Sequence, residues 1–120
     1  MCMTEKQKIS LVFYRTPTGR EPVREWYKAQ SKEDRYILGA DLQRVQWKFP
    51  IGMPLCRPMG AGLYEVRSTL TNNRIARVIF YLYRSQIVAL HAFIKKTSTT
   101  PDADLALARK RLKEIDHEKE

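Results

Sequence analysis

The stretch that decides the fold runs from Gly62 to Pro101 and reads GLYEVRSTLTNNRIARVIFYLYRSQIVALHAFIKKTSTTP. It contains three runs rich in β-branched and aromatic residues: Leu63–Leu70, Arg74–Arg84 and Gln86–Lys96. This composition is typical of β-strands. The segments between the runs, Thr71–Asn73 and Tyr83–Gln86, are short enough for tight turns. We therefore predict an antiparallel meander of three strands.

Side chains alternate in character along these strands. The odd-numbered positions collect polar and basic groups, namely Glu65, Arg67, Arg77, Tyr81, His91 and Lys95. The even-numbered positions collect apolar groups, namely Tyr64, Val66, Val78, Phe80, Leu82, Val88, Leu90 and Ile94. Because successive side chains of a strand point to opposite faces, one face of the sheet is predicted to join the core and the other to stay at least partly open. The second face carries basic and hydrogen-bonding side chains, which are the kinds of group that bind a polyanion.

The segments before the meander predict one strand, two helices and a loop. Ile9–Arg15 has the composition of a strand. A short helix is predicted over Pro22–Gln30, and a second helix is predicted to begin at Ser31 and end before Pro50. Gly39 lies inside the second helix and predicts a weak point there. Pro50–Gly62 contains three prolines and three glycines and is predicted to form a loop.

A last helix is predicted after the meander. Thr100 can cap it, Pro101 occupies its first position, and Asp102 and Asp104 lie in its first turn, where the helix dipole favours acids. The predicted fold class is therefore α+β: an antiparallel sheet made of the N-terminal strand and the meander, with two helices after the first strand and a C-terminal helix. We predict a single domain over residues 1–120, with Trp26, Trp47 and Phe49 in its core.

Composition and charge restrict the possible functions. The chain has 120 residues and a formal charge of +9, and between Leu63 and Thr99 it has six basic residues and one acid. Such a balance favours nucleic acid or an acidic protein as a partner, with a generally basic surface as the alternative. No apolar run is long enough to span a membrane, and no signal peptide is evident, so a cytoplasmic location is predicted. Cys2 and Cys56 are predicted to be free thiols.

Several motifs resemble one family of proteins. They are the run Gly62-Leu63-Tyr64-Glu65-Val66-Arg67, then Arg77 in an apolar strand, then His91-Ala92-Phe93-Ile94-Lys95-Lys96-Thr97, then Pro101 before an Ala-rich helix. Together they resemble the phage-derived branch of RelE/HigB-type toxins, which are the toxin halves of bacterial type II toxin–antitoxin pairs. The resemblance covers nearly the whole chain in element order.

The resemblance implies a ribosome-dependent mRNA endonuclease that uses no metal and no other cofactor. In such toxins the 2′-hydroxyl of the RNA attacks the adjacent phosphate and leaves a 2′,3′-cyclic phosphate and a 5′-hydroxyl. It also implies a cognate antitoxin, commonly a helix-turn-helix protein, and contact with operator DNA only through the toxin–antitoxin complex. This chain has no tyrosine beyond Tyr83, so it lacks the catalytic tyrosine near the C-terminus of some RelE toxins.

RNA cleavage of this kind requires charge stabilisation at the phosphate and groups that move protons. For catalysis we predict Arg67, Arg77, Lys95 and His91, all of odd parity on the predicted polar face. For RNA binding we predict Arg74, Tyr81, Lys96 and Arg84. The alternatives are structural: a salt bridge of the arginines to Glu65, edge-strand lysines that block aggregation, and a core histidine or tyrosine.

Two other functions stay open at this point. A toxin of the same fold could poison DNA gyrase, as ParE-type relatives do, and would need no convergent arginines. A non-catalytic nucleic-acid-binding domain would use the same charge and would tolerate exchange of arginine for lysine.

Overall fold

The computed structural model describes residues 8–50, 52, 55–95 and 100–118. Within these ranges the elements are β1 (Ser10–Phe13), α1 (Pro22–Lys28), α2 (Lys32–Lys48), β2 (Cys56–Gly60), β3 (Leu63–Thr69), β4 (Ile75–Tyr83), β5 (Gln86–Lys95) and α3 (Asp102–Glu118). The strands form one sheet in the order β1-β5-β4-β3-β2. The predicted α+β class, the two helices after the first strand and the C-terminal helix are confirmed.

The sheet differs from the prediction in two respects. β1 pairs with β5 in parallel, so the sheet is mixed and the prediction of a fully antiparallel sheet is wrong. A parallel pair needs a long crossover connection, and helices lie between β1 and β5 in the chain. The second difference is β2, a strand inside the segment predicted to be a loop. Pro58 is compatible with β2 because this strand lies at the edge of the sheet, where a missing N–H is tolerated.

The predicted start and end of the second helix, α2, are confirmed. The Ser31 hydroxyl accepts a hydrogen bond from the Asp34 N–H at 3.1 Å, which caps α2 at its N-terminus. Gly39 has a packing role that the sequence did not reveal. A Cβ atom at this position would lie 3.1 Å from the Tyr27 hydroxyl, so the glycine lets the end of α1 approach α2 closely.

One side of the sheet, here called the α1/α2 side, packs against α1 and α2. Val66, Val78 and Phe80 are buried there against Val23 of α1 and Val45 of α2. The Phe80 ring stacks on Tyr64 at 5.5 Å and meets the edge of Phe49 at 5.9 Å. The prediction for Trp47 is wrong, because this side chain lies on the outer face of α2 and is 46% exposed.

The opposite side, here called the α3 side, is partly covered by α3. Leu63, Ile79 and Phe93 are buried in one cluster with Ala108 of α3, so the expectation that odd-numbered positions form a polar face fails over this area. An amphipathic helix needs an apolar surface to cover, and the odd-numbered apolar residues between the charged ones supply it.

Over the described residues, no helix has the length and apolar character that crossing a membrane would require.

A β-bulge in β5 explains why the alternation fails there. Ile79 pairs with His91, whereas Phe80 pairs with Ala89, so Leu90 is an extra residue in β5. Beyond it the parity reverses, and Val88 and Leu90 lie in the cluster on the α3 side instead of the even-numbered face. Arg111 of α3 donates a hydrogen bond to the Leu90 carbonyl at 2.7 Å, which satisfies the bulged residue.

Candidate functional site

Charged side chains from three neighbouring strands meet at one end of the α3 side. Arg57 of β2 pairs with Glu65 of β3, and Arg67 of β3 pairs with Arg77 of β4. We call these four residues the arginine cluster. Glu65 and Arg77 are fully buried, while the side chain of Arg67 remains 17% exposed. The structure thus brings Arg67 and Arg77 together, as their shared parity predicted.

The cluster holds three arginines and one carboxylate, so positive charge prevails among its members. The Arg67 Nε lies 3.6 Å from the Glu65 Oε1. Burial lowers the pKa of the Arg77 guanidinium, and the positive charges of Arg67 and Arg57 lower it further, while Glu65 acts in the opposite direction. The Arg77 guanidinium also lies over the Phe93 ring, 5.8 Å from its centre. An anion bound here would relieve the repulsion between the arginines.

Glu65 is held from two directions. The Thr100 hydroxyl donates a hydrogen bond to its Oε2, which ties the start of α3 to β3. Among the described residues its Oε1 accepts no hydrogen bond and interacts with Arg67 through the longer ion pair. One carboxylate oxygen is therefore fixed, and the other faces the arginine that is partly exposed.

His91 lies next to the cluster on β5. Its Nε2 is 2.6 Å from the Asp104 Oδ1 of α3, and its ring stacks on Phe93 at 5.5 Å. Phe93 therefore contacts both His91 and Arg77. A carboxylate that binds one ring nitrogen fixes the orientation of the imidazole.

The other predicted site residues occupy different positions. Lys95 is exposed at the end of β5, opposite Ile75. Lys96 lies outside the described residues. Arg74 forms an ion pair with Asp34 of α2 at 3.0 Å, on the α1/α2 side.

Tyr81 and Arg84 lie at the far end of β4. Tyr81 stacks on Tyr83 at 6.1 Å beneath α3, and Arg84 lies in the following turn over the Tyr83 ring. At about 3.3 Å per residue, Arg84 is roughly 20 Å from Arg77. The structure separates Arg74, Tyr81 and Arg84 from the arginine cluster.

Sequence analysis did not identify two residues of this region as members of the site. Arg57 was assigned to a loop because prolines and glycines surround it, and Asp104 was assigned to the helix dipole. A signal for Arg57 was present: Gly60 and Gly62 flank a turn whose residues have positive φ, and a hairpin centred there puts Arg57 opposite Glu65. Asp104 gave no such signal, because only the docking of α3 brings it to His91.

Within the described ranges, no three His, Cys, Asp or Glu side chains are grouped as a metal site would need.

Comparison with known proteins places the chain in a family. The fold and the cluster define an α+β protein with a basic site on one side of its sheet. Residues 25–113 match the family described as phage derived protein Gp49-like (DUF891), and the chain belongs to this family. The family is associated with RelE-like toxins, which implies an antitoxin partner. No curated protein matches the chain.

Proposed function

We propose that this chain is the toxin of a type II toxin–antitoxin pair and a RelE/HigB-type endoribonuclease that cleaves mRNA on the ribosome without a metal or another cofactor. The observation that carries the proposal is the pairing of Arg67 with Arg77 across two strands, with Arg57 on the next strand. The membership of a toxin-like family supports the same conclusion.

Arg67 and Arg57 are the members of the cluster that RNA can reach. Both are partly exposed, whereas Arg77 is fully buried. A guanidinium presents a planar fork that binds two phosphate oxygens at once and keeps its proton. The buried Arg77 does not need to touch the phosphate, because its charge adds to the positive electrostatic potential there. Attack by the 2′-hydroxyl gives the phosphorus a fifth oxygen ligand and increases the negative charge on the phosphate oxygens, which arginines already in place stabilise.

His91 and Lys95 are the groups suited to move protons. One of them must take the proton of the 2′-hydroxyl, and another must return a proton to the 5′-oxygen that leaves. The imidazole of His91 is oriented by Asp104, and imidazole nitrogens serve as proton acceptors and donors in catalysis. Lys95 is exposed at the end of β5.

The proposed setting is the cytoplasm, where the chain acts as a single domain over residues 1–120. Its partners are the ribosome with mRNA and a cognate antitoxin, which we expect to be a helix-turn-helix protein. The chain reaches operator DNA only as part of the complex with that antitoxin.

The test compares wild type with Arg67→Ala and with the matched control Arg84→Ala after induced expression in a bacterial host. Arg67 is preferred to Arg77, because loss of the fully buried Arg77 would also unfold protein. Growth, the amount of folded protein and the 5′ ends of mRNA are measured. We expect growth arrest with cuts inside translated codons for wild type and Arg84→Ala, and at least a hundredfold fewer cuts for Arg67→Ala, in line with the loss of a charge-stabilising donor.

Three results would contradict the proposal. Arrest with intact mRNA and broken DNA would indicate a gyrase poison. Equal numbers of cuts for wild type and Arg67→Ala would show that the arginine cluster is not part of the cleavage site. RNA binding that Arg67→Lys preserves in full, without cleavage by wild type, would indicate a binding domain.

A further inference from the structure

A cleft of about 560 Å³ lies beside the edge of β3, where this strand continues past the end of β2. Next to the start of β2, the Arg67 N–H donates a hydrogen bond to the Leu55 carbonyl at 2.8 Å. Beyond that point, among the residues that the structure describes, α2 lies beside the edge of β3 and the cleft lies between them. Its size falls within the range of about 300–1,000 Å³ of small-molecule sites.

The cleft combines apolar walls with one acid and two bases, one of which is Arg67. Ile37 of α2, Leu55 and Ile75 of β4 supply the apolar surface. Asp41 and Arg44 of α2 line it as well, and their nearest charged atoms are 3.7 Å apart. At this distance the ion pair is weak, so both groups can accept other partners. Apolar walls with a few polar groups suit an unpaired nucleobase, which proteins bind by packing against its face and by hydrogen bonds to its edge.

Arg67 connects the cleft to the arginine cluster, because it lines the cleft and also interacts with Glu65. We propose that the cleft holds a base of the RNA strand whose phosphate Arg67 binds, and that Asp41 selects this base. The inference rests on the proposed function and adds the residues that would determine sequence preference. A phosphate and the base of its own nucleotide are close neighbours, so one arginine at the border between the two sites can serve both.

The chemistry of Asp41 favours guanine. A carboxylate only accepts hydrogen bonds, and its two oxygens can accept two parallel ones. The Watson–Crick edge of guanine offers two adjacent donors, N1–H and the 2-amino group, whereas cytosine and adenine offer one amino group and uracil offers one ring N–H. Asp41 is the one acid among the described residues that line the cleft, and its side chain is only 16% exposed.

The test uses the whole 120-residue chain with Asp41→Asn, which keeps the size of the side chain and removes its charge. The matched control is Glu33→Gln, an exposed acid on the same helix. The ligands are four RNA trinucleotides that carry 2′-O-methyl groups to prevent cleavage and differ in one base: guanine, adenine, cytosine or uracil. Calorimetric titration gives their affinities, and the 5′ ends of cellular mRNA give the cut sites of each variant.

We expect wild type and Glu33→Gln to bind the guanine ligand about tenfold more tightly than the other three, the preference expected of one two-hydrogen-bond contact to a base. Asp41→Asn should lose this preference, and its cuts should lose an enrichment for guanine at one fixed position. Equal affinity of wild type for all four ligands, or a preference that Asp41→Asn retains, would overturn the inference.

Failure of the inference and failure of the proposed function give different results. Cuts that depend on Arg67 but not on Asp41 would refute the cleft as a base site and leave the nuclease standing. A guanine preference in the titrations without any cuts by wild type would refute the nuclease and leave the base site standing.

Discussion

The two sides of the sheet differ in what they bury. On the α1/α2 side, Val66, Val78 and Phe80 pack in an apolar cluster against two helices. On the α3 side, the same three-strand region buries Glu65 and Arg77 beside its apolar residues. Buried charges contribute little net stability, because desolvation offsets their attraction. We infer that apolar packing on both sides stabilises the fold and that the α3 side also bears the cost of holding two buried charged groups in place.

The largest effect is expected from breaking the α1/α2 side. Phe80→Ala should lower the free energy of unfolding by about 3–5 kcal/mol, because it removes a fully buried ring and leaves a cavity. Urea denaturation measures the loss, and cleavage per folded molecule should be unchanged. Tyr36→Ala is the control, since this side chain is 79% exposed and its loss should change stability by less than about 0.5 kcal/mol. A loss below about 1 kcal/mol for Phe80→Ala would contradict the proposed role of apolar packing on this side.

A somewhat smaller effect is expected on the α3 side. Arg77→Met should lower the free energy of unfolding by about 3 kcal/mol, because it removes a positive charge next to the buried Glu65. Adding Glu65→Gln should recover at least half of that loss, since no uncompensated carboxylate then remains. Thermal unfolding of the single and double variants gives the comparison. A double variant that is less stable than Arg77→Met would mean that packing, and not charge, accounts for the loss.

The pH dependence of stability tests burial at the edge strand. Burial raises the pKa of the Cys56 thiol to about 11, from 9.0 for an exposed thiol. The folded protein thus retains a proton that the unfolded chain loses, so this stabilisation is full below pH 9 and is lost as the pH rises towards 11. Between pH 8 and 10.5 the wild type should lose about 2 kcal/mol more than Cys56→Ala. Parallel curves for the two proteins would show that the thiol ionises freely in the folded state.

The smallest effect is expected for an arginine outside the cluster. Arg74→Ala should lower stability by about 1 kcal/mol, because the nearly buried Asp34 loses its half-exposed partner. Cleavage per folded molecule should match that of Arg84→Ala. A large loss of RNA cleavage by Arg74→Ala at unchanged stability would extend the functional surface to the α1/α2 side.

Much of the fold was predictable because its signals are local. The Ser31 cap, the end of α2 before Pro50 and the two turns of the meander follow from residues a few positions apart. β2 and the direction of β1 were not predictable in this way. Pro58 weakens the strand signal of β2, and the direction of β1 depends on how the helices between β1 and β5 return the chain to the sheet.

The candidate site, like the fold, was predictable only where the signals are local. Alternation predicted that Arg67 and Arg77 share a face, since parity along paired strands is a local property. The same alternation failed beyond the bulge at Leu90 and overlooked the cover by α3. Arg74 was predicted to bind RNA; the structure shows its ion pair with Asp34 of α2, and its role in RNA binding stays a prediction.

The sequence by itself determined the class of fold, the strands of the meander and the concentration of basic residues on them, because periodicity and composition act over a few residues. Only the tertiary structure decided which of those basic residues meet. The docking of α3 brought Asp104 to His91 and Thr100 to Glu65, and the pairing of β2 added Arg57. These contacts join residues distant in the chain, and the burial of apolar surface between elements brings them together.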